Sequence, residues 1–189
     1  MKVKLNPMFE QVSGQLGDLV FRELRGKTFA SRKPTGSTAV PTVDQAAQRE
    51  RFKQAAAYGK SALADPTIRT FYEEAAKSKN MPVFALTIAD FFNAPTIETV
   101  DVSAYNGQVG SLIYMLTSDD LGVVSVRVSI TNDQGAILEN GAAIETAEGT
   151  GRWVYTATQA VAAGEDVVVN VIATDRPGGT AVRSNPKSL

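Results

Sequence analysis

Residues 123–130 read Val123-Val124-Ser125-Val126-Arg127-Val128-Ser129-Ile130. Valine and isoleucine alternate here with serine and arginine, which is the period-two pattern of a strand buried on one face. Residues 111–116 and 153–157 alternate in the same way, and Asn132-Asp133-Gln134-Gly135 is a turn sequence. Further candidate strands are 96–103, 136–139, 167–174 and 181–184. About seven short strands with intervening turns predict a β-sandwich in the C-terminal half.

Upstream of Asn93-Ala94-Pro95 the apolar period changes from two residues to that of a helix. A first helix should begin with Thr42 as its cap and Gln45 completing a capping box, and run to about Leu63. Asp65-Pro66 should end it and begin a second helix. The predicted apolar face of the first helix is Phe52, Ala55, Ala56, Gly59 and Leu63, and that of the second is Ile68, Phe71, Tyr72 and Ala75.

A third helical stretch, from Pro82 to Phe92, is apolar on nearly every side. A helix of this kind is normally buried all round. It should therefore pack against other parts of the chain, or face a partner.

Near the N-terminus, two β-prone runs flank Arg25-Gly26 and predict a β-hairpin. A lone hairpin is marginally stable in water, so it must pack on something else. Residues 35–42 have the composition of a linker. We therefore predict an α+β fold with an N-terminal β-hairpin, a short helical hairpin and a C-terminal sandwich. We place an assembly region at 1–94 and the sandwich domain at 95–189.

The 189 residues include no histidine and no cysteine. This composition lacks the usual proton shuttle at neutral pH, the thiol nucleophile and the ligands of His- or Cys-based metal sites. We expect a protein that is not an enzyme, with no catalytic, cofactor or metal residues. The charge is asymmetric: residues 1–95 hold 14 Lys/Arg and 9 Asp/Glu, whereas residues 96–189 hold 5 and 11. Such a chain could attract copies of itself head to tail, or simply present two solvated surfaces.

Carboxylates offer the remaining chemistry. Asp119-Asp120 could serve in acid–base catalysis, but aspartate between two strands is a routine turn residue. Asp119, Asp120 and Asp175, with Glu98 or Asp101 nearby, could instead gather at one pole of the sandwich and bind Ca²⁺. Turn capping is the alternative that we favour. Ser31 with Lys33, and Lys60 with Ser61, lack the pattern of a Ser–Lys nucleophile.

Basic side chains cluster around the hairpin, with Phe21 and Phe29 between them, and a basic two-stranded ribbon can enter a nucleic-acid groove. The basic residues are Arg22, Arg25, Lys27, Arg32 and Lys33. The sequence pI of about 5.6 opposes this function, so we expect no nucleic-acid partner. No apolar run is long enough to span a membrane. Residues 1–7 show no secretory signal, which suggests a cytoplasmic or particle-associated protein and leaves non-Sec export open.

Three C-terminal segments resemble the bacterial Ig-like modules of adhesins and surface proteins. They are 123–130, Gly151-Arg152-Trp153-Val154-Tyr155-Thr156 and Ala173-Thr174-Asp175-Arg176-Pro177-Gly178-Gly179. The last has the A-x-D-x-x-G ending that commonly closes the penultimate strand of such modules. The resemblance implies an Ig-like or fibronectin-III-like sandwich without a disulfide. The N-terminal half is similar to uncharacterised bacterial and phage-type proteins through Gly14, Gly17, 20–22, 32–34 and 45–52, which implies a particle or assembly component.

Two functions remain open. The first is a structural subunit that self-associates through its N-terminal region, as part of a filament, ring or particle. Residues 2–5 or 19–24 could then supply a strand to an exposed sheet edge. The second is a monomeric Ig-like module that binds a glycan or protein through its loops. Tyr105, before Asn106-Gly107, is the one loop aromatic that this function suggests, since Tyr114, Trp153 and Tyr155 fall in strands.

Overall fold

The computed structural model describes residues 13–24, 26–34 and 40–189. The chain forms two compact units, with the division between Asp44 and Gln45. The described part of the first unit is mainly a small sheet, and the second unit contains three helices and a β-sandwich. The predicted α+β fold is therefore confirmed. The predicted boundary between an assembly region at 1–94 and a sandwich domain at 95–189 stays a prediction.

The N-terminal sheet has three antiparallel strands in the order β1 (Gly14–Leu16), β2 (Leu19–Leu24) and β3 (Lys27–Arg32). The predicted hairpin is the β2–β3 pair, and Gly26 supplies the positive φ of +69° in its turn. β2 pairs with β3 along its whole length and with β1 only over Leu19, Val20 and Phe21. Donation of the whole strand to another sheet would therefore require these pairs to open, and it stays a prediction. The other proposed donor, residues 2–5, lies outside the described residues.

The helices are α1 (Val43–Ala64), α2 (Pro66–Lys79) and α3 (Val83–Phe92). Asp65 caps α2 as predicted, since its Oδ1 accepts hydrogen bonds from the amides of Thr67 (2.8 Å) and Ile68 (3.1 Å). Asn80 ends α2 in the left-handed conformation. None of the helices in the described part of the chain has both the length and the apolar character to cross a membrane.

The three helices share a small core formed by Ala62, Tyr72, Ala76 and Leu86. Gly59 allows the close approach of α1 to α3, because a Cβ at this position would lie 2.5 Å from the Oγ1 of Thr87. Burial along α1 begins only at Ala55, so Phe52, which lies before the covered part, is 52% exposed. Its predicted place on the buried face is wrong. One face of α3 is buried within the chain, whereas Phe84 remains 40% exposed.

The sandwich strands are β4 (Thr96–Asp101), β5 (Leu112–Ser118), β6 (Ser125–Asn132), β7 (Ile137–Ala142), β8 (Ile144–Glu145), β9 (Arg152–Thr156), β10 (Asp166–Thr174) and β11 (Thr180–Ser188). One antiparallel sheet has the order β4-β5-β9-β8 and the other the order β11-β10-β6-β7. Along each strand, side chains point alternately toward the other sheet and away from it. Those between the two sheets form one apolar core. The largest fully buried side chains of this core include Tyr105, Ile113, Val126, Val128, Ile130, Val167, Val169 and Val171.

Side chains cap the β4 edge of the sandwich, and on the opposite side the main chain crosses from one sheet to the other. On one side, Nη1 of Arg183 donates to the carbonyls of Ile97 (3.1 Å) and Glu98, and Nδ2 of Asn185 donates to that of Val100 (3.3 Å). On the other side, the chain passes from β7 to β8 through Ala143, whose amide bonds to the carbonyl of Val126 (2.8 Å). Capped edges of this kind oppose the addition of a foreign strand.

Candidate interaction surfaces

The predicted calcium ligands do not converge on one point. Asp120 accepts a hydrogen bond from Nδ2 of Asn93 (2.6 Å) and lies 3.7 Å from Nζ of Lys79. Glu98 accepts from the hydroxyl of Ser118 (2.6 Å). Asp101 accepts from the amide of Ser103 (2.9 Å) within its own turn. Within the described residues, no three acidic, histidine or cysteine side chains are placed to hold a metal ion.

Asp119 and Asp175 are nevertheless close enough for their charges to interact. Asp119 caps its own turn, since its Oδ2 accepts from the amide of Leu121 (2.8 Å). Asp175 is buried against Gly179, and neither of its carboxylate oxygens has a hydrogen bond of ordinary geometry. Burial raises the pKa of Asp175, the nearby amides of Gly179 and Gly178 partly offset this, and the Asp119 charge adds to the rise. The A-x-D-x-x-G sequence thus folds around a buried acid.

A third acid, Asp90 of α3, lies close enough to this pair for their charges to interact, and it was not among the residues predicted from the sequence. Its carboxylate accepts a short hydrogen bond from the hydroxyl of Tyr72, which lies 2.8 Å from the hydroxyl of Tyr58. Burial raises the pKa of Asp90 to about 6; the Tyr72 hydrogen bond lowers it, and the charges of Asp119 and Asp175 raise it further. The i, i+4 position of Asp90 relative to Leu86 was the only sequence signal for its burial.

Other contacts join the helices to the same pole of the sandwich. The guanidinium of Arg176 stacks over the ring of Phe71, at 4.2 Å from its centroid. Leu121 packs against the helical core. The carboxylate of Asp120 lies near Lys79 of α2 and accepts from Asn93 at the end of α3. We call these contacts, together with Asp90, the helix–sandwich seam. The loops that precede β6 and β11 are therefore partly covered by the helices.

Beside the seam lies an open cleft of about 590 Å³, which we call the acidic cleft. Its polar lining includes the acids Asp119, Glu145 and Glu148 and the base Arg176. Its apolar lining is Phe71, Leu121, Val123 and Val124, of which Val124 is 53% exposed. The lining thus combines apolar residues with three acids and one base. Such a surface favours a positively charged partner.

The predicted ligand-binding loop aromatic, Tyr105, is instead fully buried, so this prediction is wrong. Its ring fills the core, and its hydroxyl, which has no hydrogen-bond partner, lies near Glu139. Glu139 is also buried, and its Oε1 accepts from the hydroxyls of Tyr155 (2.7 Å) and Thr158 (2.8 Å). Burial raises the pKa of both tyrosines, and the Glu139 charge raises it further. This polar group belongs to the core and is closed to ligands.

The exposed aromatic of the sandwich strands is Tyr114, which is 45% exposed on the outer side of β5. On β5 the inner residues are Ile113, Met115 and Thr117. The outer side of this sheet is apolar at its centre, and we call it the Tyr114 face: Leu112, Tyr114, Leu116, Ile144 and Val154. Ile144 is 72% exposed. The sequence could not show which side of β5 faces outward, because the strand is apolar on both sides.

Of the predicted basic cluster, Arg25 lies outside the described residues, and the basic residues on the described strands do not share one face. By register, Arg22 lies opposite Phe29, with Lys27 on the same side of the sheet. Arg32 lies opposite Leu19 on the other side. Leu16 joins Leu19 and Phe21 there, and the two leucines are 73% and 41% exposed. The expectation that nucleic acid is not a partner stays a prediction.

Neither a known protein family nor a curated protein sequence matches this chain. Among solved structures, the chain is similar to "The crystal structure of CopC from Methylosinus trichosporium OB3b". The similarity has 19% sequence identity and a TM-score of 0.37, and it covers 49% of this chain and 89% of that chain. A likeness this distant carries no functional conclusion.

Proposed function

We propose that the protein is a non-enzymatic structural subunit that self-associates through its N-terminal sheet and displays an Ig-like domain. The assembly would be a filament, a ring or a component of a particle. The observation on which the proposal rests is the surface of the N-terminal sheet. Leu16 and Leu19 are exposed side by side, and Arg32 flanks them on the same face. Exposed apolar residues rimmed by charge are typical of a protein–protein contact.

A complementary surface exists on the sandwich. The acidic cleft is lined by apolar residues, three acids and one base, and the N-terminal half of the chain is basic. Charge complementarity of this kind steers partners together and fixes their orientation. A contact between unlike surfaces of two copies is heterologous, and it extends into rings or filaments. Head-to-tail contact is therefore the geometry that we propose.

The strand order supports the Ig-like assignment of the displayed domain. The order β4-β5-β9-β8 corresponds to the ABED sheet of Ig domains, and β11-β10-β6 to the GFC sheet, with β7 in the place of a C′ strand. Because the β4 edge is capped, the sandwich should contribute faces and clefts to an assembly rather than this strand edge.

The experiment is to measure the assembly state of the full chain by light scattering after size exclusion, with negative-stain microscopy, at low and high salt. We expect oligomers larger than a dimer that loosen as salt screens the charges. The double variant Leu16→Ser, Leu19→Ser should abolish them. Val40→Ser is the matched control, because Val40 is 89% exposed but lies outside the sheet.

A monomer that is indifferent to salt and concentration would overturn the proposal. Oligomers that survive the double leucine variant would show that the N-terminal sheet is not the assembly element. Circular dichroism should confirm that each variant keeps its secondary structure, since a misfolded variant would also lose its contacts.

The alternative is an Ig-like module that binds a protein or glycan as a monomer. The exposed ring of Tyr114 favours this alternative, because aromatic residues are enriched at binding surfaces. The loop pole that Ig variable domains use for binding is partly covered here by the helices. A ligand of the monomer would therefore meet the sheet face rather than the loops.

A further inference from the structure

The Tyr114 face is unusual for the outer side of a sandwich sheet. Across the sheet, Tyr114 lies opposite Val154, which in turn lies opposite Ile144. Leu112 and Leu116 lie on the same side of β5, two positions before and after Tyr114. The face is thus a continuous apolar patch that spans three strands. Outer faces of antiparallel sheets are normally polar.

The outer side of the second sheet provides the contrast within the same domain. At its centre, Ser129, Asn170 and Ser184 form a row, and the hydroxyl of Ser184 donates to the Asn170 side chain (2.6 Å). The apolar residues on this side are Ile172 and Val182 beside Arg127, and the exposed Pro186 opposite the half-buried Val168. The domain therefore presents one mainly solvated sheet and one that is suited to burial.

We infer that the Tyr114 face packs against the same face of a second copy, sheet against sheet and around a twofold axis. The inference rests on the proposed self-association and supplies it with a second contact. Two sheets that pack face to face interdigitate their apolar side chains, as the inner faces of a sandwich do. A subunit with one twofold contact and one head-to-tail contact can build an assembly larger than a dimer.

The charges around the face favour a second copy over an unrelated partner. Asp101 on β4 lies opposite Tyr114, and Arg152 on β9 lies opposite Leu116, so the two charges flank β5 on opposite sides. Neither forms an ion pair with any residue in the described ranges. A twofold axis that lies between the facing sheets, passes between Tyr114 and Leu116 and runs obliquely to β5 would bring each Asp101 to the partner subunit's Arg152. An isologous contact requires this self-complementarity.

The shape of the Tyr114 face also fits a second copy of the chain. A shallow cleft of about 440 Å³ lies beside Tyr114, and its lining includes Leu116 and Trp153 together with the two charged residues, Asp101 and Arg152. It has room for a side chain that projects from a facing sheet. The remainder of the face is aliphatic and offers few hydrogen-bonding groups, so it suits another apolar face better than a sugar.

The test is a charge swap in the full chain, read by sedimentation velocity over a range of concentrations. Asp101→Arg and Arg152→Asp alone should each weaken association at least about tenfold, because like charges then face each other. The double variant Asp101→Arg, Arg152→Asp should restore it to within about threefold of the original chain. Tyr114→Ser should weaken association, and Val182→Lys, on the solvated sheet, should leave it unchanged.

The outcomes separate the inference from the proposed function. If both single variants associate like the original chain, or if the double variant fails to restore association, the inference is wrong. If Tyr114→Ser still associates but the double variant Leu16→Ser, Leu19→Ser does not, the result supports the N-terminal contact and contradicts the twofold contact. A chain that is monomeric at every concentration and salt overturns both. A folded monomer that binds glycan or another protein through Tyr114 supports the alternative function instead.

Discussion

The helical layer and the sandwich are stabilised in different ways. The sandwich has a large apolar core, into which the buried polar residues Thr117, Glu139 and Asp175 are set. The helical core is small, and Tyr72, its largest side chain, belongs to the chain of hydrogen bonds from Tyr58 to Asp90. Apolar burial is insensitive to pH, whereas a buried acid responds to it. The fold therefore places a titratable seam between a rigid module and its helices.

The largest effect that we predict is the loss of stability on truncation of the sandwich core. Ile113 is fully buried, so Ile113→Ala should lower the free energy of unfolding by about 3 kcal/mol. Ile144→Ala is the matched control: the same residue type on the Tyr114 face, 72% exposed, should change the stability of the monomer by less than about 0.5 kcal/mol. Urea unfolding measures both. Similar losses in the two variants would contradict the assigned faces of this sheet.

An intermediate effect concerns the helix–sandwich seam. The pKa of Asp90 rises from 3.8 to about 6 on folding, so folding is more favourable when this acid is protonated. Its contribution is fully present below pH 4 and is lost as the pH rises through 6. The change should be on the order of 2 kcal/mol, and the raised pKa of Asp175 acts in the same direction.

Urea unfolding between pH 4 and 7 would measure this dependence. Asp90→Asn should flatten it and leave stability at pH 7 equal or higher, because the amide oxygen can still accept from Tyr72 without a buried charge. Asp133→Asn, in an exposed turn of the sandwich, is the control. If Asp90→Asn keeps the original slope, other groups are responsible for the dependence.

The smallest effect concerns the start of α2. Asp65→Ala removes the acceptor for the amides of Thr67 and Ile68, which should cost about 1 kcal/mol. Asp65→Asn keeps an acceptor and should retain most of the stability. Native-state hydrogen exchange should show faster exchange in α2 for the alanine variant and no change in the sandwich strands. Equal exchange in both regions would mean that the two regions unfold as one unit.

Much of the fold could be predicted because its signals are local. The Asp65-Pro66 pair predicted the start of α2 within one residue, since capping and the fixed φ of proline involve only neighbouring residues. The alternation at 123–130 predicted β6 and its buried valines for the same reason. Only Val124, which precedes the strand, departs from the pattern, at 53% exposed.

The surfaces could not be predicted in this way. Tyr105 resembled an exposed loop residue because Asn106-Gly107 follows it, yet it is buried in the core. Tyr114 resembled a core residue because it alternates within a strand, yet it faces outward. In both cases burial depends on residues that are distant in sequence. An alternating pattern that is apolar on both sides does not specify the face.

The sequence by itself determined the order and type of most elements, though not the short strands β1 and β8, as well as the absence of His and Cys chemistry and the opposite charges of the two halves. Those properties depend on composition and on neighbouring residues. Only the tertiary structure decided that the charges of Asp119 and Asp175 act on Asp90, that β2 is a central strand and that the Tyr114 face points outward. The physical reason is that desolvation, charge coupling and burial arise where segments remote in the chain pack together.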